Sequence, residues 1–232
     1  MVSVKKLKRH FYTDYPSPFE RFNEEATKLV SPNSIVLHAG CGADDSIGFR
    51  TKAKTTIGID LDDWILHNSD IDLGLMGNIN RLPLVNECVD VVVARWVLEH
   101  LRYPRFFIQE TARILRPGGY LLIITPNQWH YAGFLTRFTP HSLQKWFVKH
   151  LLGGNPDEVF PTFYKANTAR RLKSLANETG LVTECVFLHE SAPTLLGFSP
   201  FTYLGGIVYE RTVNRFEVLA GLKSAIIAIF CK

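Results

Sequence analysis

Along this 232-residue chain, short apolar runs alternate with stretches in which apolar residues return at helical spacing. Ile35-Val36-Leu37 is a β-branched, apolar run opened by the loop residues Ser31-Pro32-Asn33-Ser34, and Thr55–Ile59 is a second, ending on Asp60. A third begins near Ile71 and closes on Gly77-Asn78-Ile79, and Val89–Ala94 is the clearest of all. Tyr120–Thr125, Leu181–Leu188 and Ser224–Cys231 bring the predicted strands to seven. Apolar positions three and four apart predict amphipathic helices over Phe19–Val30, roughly 46–53, Phe106–Leu115, Ser142–Leu152 and from Thr168 to Gly180. Strands alternating with helices predict an α/β fold: a Rossmann-like, mostly parallel seven-stranded sheet, helices on both faces, and a helical, aromatic cap after strand five.

The first strand, its turn and the second strand concentrate the chemistry. Gly40 and Gly42 lack a Cβ, so the backbone can turn tightly around Cys41 and approach a ligand. Asp60, about twenty residues on, is placed to accept hydrogen bonds from a ribose. The glycines are followed by Asp44 and Asp45, two carboxylates where the pyrophosphate of a dinucleotide would sit. Like charges in a partly dry pocket repel strongly, so an acidic turn disfavours NAD. S-adenosylmethionine has a ribose, no phosphate, and two positive charges, and it suits the turn better. The plainer reading of Asp44 and Asp45 is helix caps facing water.

Four blocks now give a resemblance. Val36-Leu-His-Ala-Gly-Cys-Gly42 comes first, then Ile57-Gly-Ile-Asp60-Leu-Asp62. The third runs from Gly77-Asn78-Ile-Asn-Arg-Leu-Pro83 into Val89-Asp-Val-Val-Val-Ala-Arg-Trp-Val-Leu-Glu99-His100. The fourth is Glu110-Thr-Ala-Arg113 through Pro117-Gly118-Gly119 to Thr125-Pro126-Asn127. In this order and spacing they resemble the class I S-adenosylmethionine-dependent methyltransferases of the type-11 group. The resemblance implies S-adenosyl-L-methionine as cofactor, an antiparallel last strand, and cofactor contacts from His38, Gly40, Cys41, Gly42, Asp60, Leu61, Asn78, Ile79, Ala94, Arg95 and Trp96. Two positions depart from the pattern: His38 stands where an Asp usually ends strand one, and Asn78 where an Asp usually meets the adenine amino group. A neutral imidazole still accepts a hydrogen bond from the ammonium without opposing its charge, and Asn78 keeps an acceptor oxygen. Trp64 or Ile65 would flank the adenine or pack in the core. His100 is the candidate general base, its alternative being to tie down a loop.

Downstream of residue 127 aromatics and histidines crowd together, and insertions after strand five form the acceptor pocket in the family. His130, Tyr131, His141 and Tyr164 are therefore the candidate acceptor contacts, with core packing as the alternative. Ser191–Tyr209 has no charged residue and is interrupted by Pro193, Pro200 and three glycines, which argues against a membrane span. A buried cap over the site is expected there, with peripheral membrane contact as the other reading. The division expected is an N-terminal arm and covering helix over 1–34, a cofactor-binding core over 35–127, an acceptor-side cap and helix over 128–180, and closing strands with the apolar segment over 181–232, all in one domain. The basic stretch Lys5–His10 reads as a solvated arm, or else as a lid or a contact to an anionic surface.

Composition adds bounds. An apolar fraction of 46% suits a sizeable core, and a net charge of +4 does not call for nucleic acid. Four scattered cysteines, Cys41, Cys88, Cys185 and Cys231, predict neither a metal site nor a disulfide framework and fit a cytoplasmic setting. The basic start is not followed by an apolar core, so no signal peptide is expected. The function expected is methyl transfer by in-line displacement to a small-molecule or glycan- or lipid-linked acceptor. The rivals are a binding protein that has lost the chemistry and a nicotinamide oxidoreductase. Neither the acceptor atom nor the oligomeric state is legible.

Overall fold

A computed structural model describes residues 3–13, 15–42, 48–152, 155 and 160–232. Asp44 and Asp45, the acidic turn of the sequence argument, lie outside the described residues. One seven-stranded sheet organises the rest: β1 (Ile35–Ala39), β2 (Thr55–Asp60), β3 (Leu73–Met76), β4 (Val89–Arg95), β5 (Leu115–Pro126), β6 (Val182–His189) and β7 (Ala225–Cys231) lie in the order β3-β2-β1-β4-β5-β7-β6. The pairs from β3 across to β5 are parallel. The last strand, β7, is antiparallel to both β5 and β6, as the resemblance implied.

Helices cover both faces because parallel strands are apolar on both sides. On β4, Val91 and Val93 point one way and Val92 and Ala94 the other, all buried. α2 (Pro18–Leu29) lays Phe22 and Ala26 against the first set. Its start is fixed by a capping box, Ser17 Oγ accepting the Glu20 N–H and the Glu20 carboxylate accepting the Ser17 N–H. α3 (Pro104–Ile114) and α6 (Ala169–Glu178) cover the second set through Phe107, Ile108, Leu172 and Leu175. Thr168 caps α6, accepting the Arg171 N–H at 3.1 Å. Arg116–Gly119 loops out inside β5, whose register to β4 jumps from Val89↔Leu115 to Val91↔Tyr120.

Several expectations are corrected. The helix expected over 46–53 is, in its described part, a single 3₁₀ turn, Phe49–Thr51. The segment after strand five folds as two short helices, α4 (Tyr131–Phe138) and α5 (His141–Phe147), followed by a π turn over Val148–Leu152. Pro140 separates them, since it lacks the N–H that would continue α4. The second half of the Gly- and Pro-broken stretch, from Pro200 on, is one continuous helix, α7 (Pro200–Arg215), and the first half holds only a 3₁₀ turn, Thr194–Leu196. Pro200 sits at its first turn, where a missing N–H costs nothing. Gly206 lets the helix rest on Pro193, since a Cβ there would lie 2.5 Å from the Pro193 Cβ. The basic arm is not solvated throughout: α1 (Val4–Phe11) is amphipathic and seats Val4, Leu7 and Phe11 against Tyr203 and Ile207 of α7. The buried Tyr12 hydroxyl donates to the buried Glu210 carboxylate at 2.9 Å.

Candidate functional site

The C-terminal ends of β1, β2, β4 and β5 meet above the sheet, the edge at which open α/β sheets bind ligands. Over β1 and β2 the main chain does the work. Gly40 has φ +69°, and a Cβ on it would lie 2.3 Å from Val97 Cγ2, so only glycine fits. Gly42 has φ +65°, and its N–H donates to Asp60 Oδ2 at 2.8 Å. Asp60 Oδ1 takes the N–H groups of Leu61 and Asp62 at 2.7 and 3.3 Å. A carboxylate offers about four lone-pair positions, so one on Oδ2 stays open for a hydroxyl. Buried Asn68, which was not among the candidate residues, clamps the turn: its Nδ2 donates to Gly42 O at 3.2 Å and reaches Cys41 Sγ at 3.4 Å.

The flanking candidates are distributed unevenly. Leu61 is 70% exposed, Ile79 is buried, and Asn78 is exposed with its Oδ1 receiving the Asn80 N–H at 2.9 Å. Trp64 is exposed, whereas Ile65 is buried against Cys41 and Ile71. Ala94 is buried in the core beneath the edge. His38 is buried, and its Nε2 accepts the Arg95 guanidinium N–H at 3.3 Å. That nitrogen therefore faces Arg95, whose charge also lies over the Phe19 ring.

Past β4 the edge changes character. Trp96 has φ +54°, a conformation rare for a bulky side chain and typical of strained functional positions. Its N–H is tied to Ile124 O at 3.0 Å. The ring lines two adjoining cavities of about 250 Å³ each, which share Trp96, His130, Leu195 and Ser224. Tyr164, also at positive φ, and α4 wall the first; Tyr131 and Glu190 wall the second. Four predicted residues, Trp96, His130, Tyr131 and Tyr164, thus come together. His141 does not line either cavity; it opens α5. Glu190 was missed, though a lone acid closing strand six before a long uncharged stretch was the available signal.

His130 and Glu190 are both about 5% exposed, with Nε2 and Oε2 3.6 Å apart. Burial pushes the imidazole down to about 4 and the carboxyl up to about 7, the latter partly opposed by the Ser191 N–H and by Ser224. At neutral pH the imidazole is uncharged, so the pair is not an ion pair, and 3.6 Å exceeds a hydrogen bond. His130 Nδ1 accepts the Ala132 N–H at 3.4 Å, which leaves the ring proton on Nε2 facing Glu190. Both atoms are buried and lack a hydrogen-bond partner, so a ligand hydroxyl or amine would complete them once the side chains covering them move aside. Burial also raises the Tyr164 hydroxyl to about 12, so it is a neutral donor there.

A second buried carboxyl braces the wall. Glu99 accepts the Thr125 hydroxyl at 3.1 Å, Thr125 accepts from Asn167 Nδ2 at 2.6 Å, and burial lifts Glu99 to about 7. His100, the candidate base, does not line the cavities: its Nδ1 is 2.9 Å from Pro161 O, which requires the proton there, and its ring meets Phe160 edge-on. With Glu99 O accepting the Phe163 and Tyr164 N–H groups, this turn holds the Tyr164 segment in place. Asn127 does the same for the other wall, donating to Gly221 O and Lys223 O at 2.7 and 2.8 Å.

Known proteins resemble this chain in sequence over part of its length and in fold. Residues 37–123 match the family model described as a methyltransferase domain. A "probable S-adenosylmethionine-dependent methyltransferase" of Mycolicibacterium smegmatis is 38% identical over 99 residues, covering 40% of this chain and 38% of that one. The mouse mitochondrial ubiquinone biosynthesis O-methyltransferase is 32% identical over 100 residues, covering 43% and 25%. The matched stretch thus spans well under half of these relatives. Among solved structures, geranyl diphosphate C-methyltransferase from Streptomyces coelicolor, in complex with S-adenosyl-L-homocysteine, shares the fold with a TM-score of 0.56 at 14% identity, covering 91% of this chain and 78% of that one.

Proposed function

From a chain whose residues 37–123 belong to the methyltransferase domain family, we propose that the protein transfers a methyl group from S-adenosylmethionine to an acceptor held in the cavity beside Trp96. The observation that carries this reading is the division of one sheet edge into two seats. One is a glycine cradle latched to a carboxylate, the other an open-mouthed cavity lined by Trp96, His130 and Tyr164. The residues present fit the cofactor. Asp60 keeps an acceptor position for a ribose hydroxyl, Gly42 has open space where a Cβ would stand and so leaves room for a close approach, and the acid at the end of β2 suits a cation better than a phosphate. When bound, the cofactor supplies an activated methyl group on a sulfonium.

The chain's own residues orient and dehydrate the acceptor. Trp96, Tyr131 and Tyr164 shape the cavity and exclude water, and alignment of the two reactants can supply roughly 7–11 kcal/mol of the barrier. Glu190 is the group placed to accept the proton that an acceptor O–H or N–H gives up, with the His130 Nε2–H holding the same heteroatom. His100 is left to position the wall. The acceptor class is a small molecule or a glycan- or lipid-linked group, small enough at its reacting end for a cavity of this size. The cytoplasm is the setting proposed, and among the described residues no helix is long and apolar enough to cross a membrane.

Calorimetric titration with S-adenosylhomocysteine tests the reading. Binding that falls about 10–100-fold in Asp60→Ala supports it, the expected cost of deleting an ionic hydrogen-bond acceptor. Equal affinity in both proteins would withdraw the cofactor assignment. Binding without turnover across acceptor libraries would point to a protein that has lost the chemistry.

A further inference from the structure

We propose that the mouth of the acceptor cavity docks on an anionic lipid bilayer through two apolar stripes, one on α7 and one on α4–α5, flanked by lysines and arginines that meet the headgroups. The docking surface stands on its own; the acceptor class it implies, an amphiphile presented from the bilayer, rests on the methyl-transfer reading.

α7 turns Tyr203, Gly206, Ile207 and Val213 inward. Phe201, Leu204 and Val208, spaced three and four apart, face outward, and Phe201 is 86% exposed. Across the cavity, Phe134, Leu135, Phe138, Leu143, Trp146 and Phe147 of α4 and α5 are all exposed. The helices that carry the stripes both reach the cavities: α4 lines the first through Ala132, Gly133 and Thr136, α7 rests at Gly206 on Pro193, which lines the second, and the Tyr131 and Tyr209 rings meet edge to face at 5.1 Å. Isolated apolar side chains on a surface are ordinary, but two helices' worth around one mouth mark a contact site.

Charge selects the occupant. Among the described residues, α1, α4, α5 and the π turn carry Lys5, Lys6, Lys8, Arg9, Arg137, Lys145 and Lys149 and no carboxylate. That is a larger positive charge than the whole chain's net +4, so acids predominate elsewhere. α1 packs on α7 through Val4, Leu7 and Phe11, which leaves Lys5, Lys6, Lys8 and Arg9 exposed on its outer side. A second copy meeting this face with the same face would oppose like charges. An anionic bilayer attracts each nearby cation, adding about fivefold to partitioning per residue. The helices are too short to cross a bilayer and are of the length and polarity that lie in its interface.

Sedimentation of the purified full chain with vesicles tests this. Vesicles of phosphatidylcholine containing phosphatidylserine should carry the protein down, pure phosphatidylcholine should carry much less, and high salt should release it. Phe201→Ser/Val208→Ser and, separately, Phe138→Ser/Trp146→Ser should each lower the bound fraction by about tenfold or more. All four positions are exposed, so the unfolding temperature and S-adenosylhomocysteine affinity should stay as in the parent. No association with anionic vesicles at low salt overturns the proposal. So does a concentration-dependent dimer, absent in either double variant, that forms without vesicle binding. Loss of S-adenosylhomocysteine binding in the parent would count against the methyl-transfer reading and leave the vesicle result intact.

Discussion

The two halves of the sheet edge are built by opposite means. Above β1 and β2 the site consists of main-chain groups, two glycines at positive φ and a carboxylate held by three neighbouring N–H groups with one acceptor position left, all within about twenty-five residues. Above β4, β5 and β7 it consists of buried side chains drawn from positions as distant as Trp96, His130, Tyr164 and Glu190. The first half tolerates no added atom, because a glycine's missing Cβ is its specification. The second half sets protonation, because desolvation moves its titratable groups toward neutral pH. Shape is local and charge tuning is assembled at long range.

The largest effect that would break this contrast is expected at Gly40. Gly40→Ala adds a Cβ onto Val97 and forces a left-handed backbone, costing about 2–5 kcal/mol in urea unfolding and abolishing S-adenosylhomocysteine binding. A Gly40→Ala protein of unchanged stability would mean the cradle is not as tight as it is drawn. Next comes Asn127→Ala on the acceptor side, which strips two carbonyls of their donor and should cost about 2–4 kcal/mol. There the cofactor affinity should change little, and a large loss would show that the halves are not separable.

The carboxyls sharpen the comparison through pH. Glu190 and Glu99 have folded pKa values raised to about 7 from 4.5. Their contribution is therefore fully present below about 4.5 and is lost as pH rises through about 7, on the order of 3 kcal/mol each. His130, depressed to about 4 from 6.5, acts the other way: its contribution is full above about 6.5 and is lost as pH falls through about 4. Stability should therefore peak on the mildly acidic side, and Glu190→Gln should flatten the decline above it. Urea midpoints at about pH 5, 6 and 8 read this directly, and parallel curves for parent and variant would remove the buried-acid account. The smallest effect expected is His100→Ala, with turnover of any identified acceptor lowered only a few-fold, since its ring braces the Pro161 carbonyl; a loss of a hundredfold or more would restore it as the base.

What the residues announced follows the same line. Strand periods, the glycine turn, Asp60 and the antiparallel last strand were readable because each is a local pattern or part of a contiguous block. Trp96 was readable as a strand end, and His130, Tyr131 and Tyr164 as aromatic crowding. Glu190 was not, because its role arises only when β6 returns beside β7 and buries it opposite a histidine sixty residues earlier. α7 was misread because Pro200 and Gly206 look like breaks until the neighbouring Pro193 supplies the reason for a small residue. His38 could not be assigned a partner without the register that sets Arg95 beside it.

Trp96 carries one more consequence. Its backbone occupies a conformation that glycine adopts freely, while its side chain lines both acceptor-side cavities. Trp96→Gly would release local torsion and at once merge two compartments. The result should be a less stable protein with a more permissive appetite, since the packing lost outweighs the torsion relieved, taking bulkier acceptors while discriminating less well among small ones.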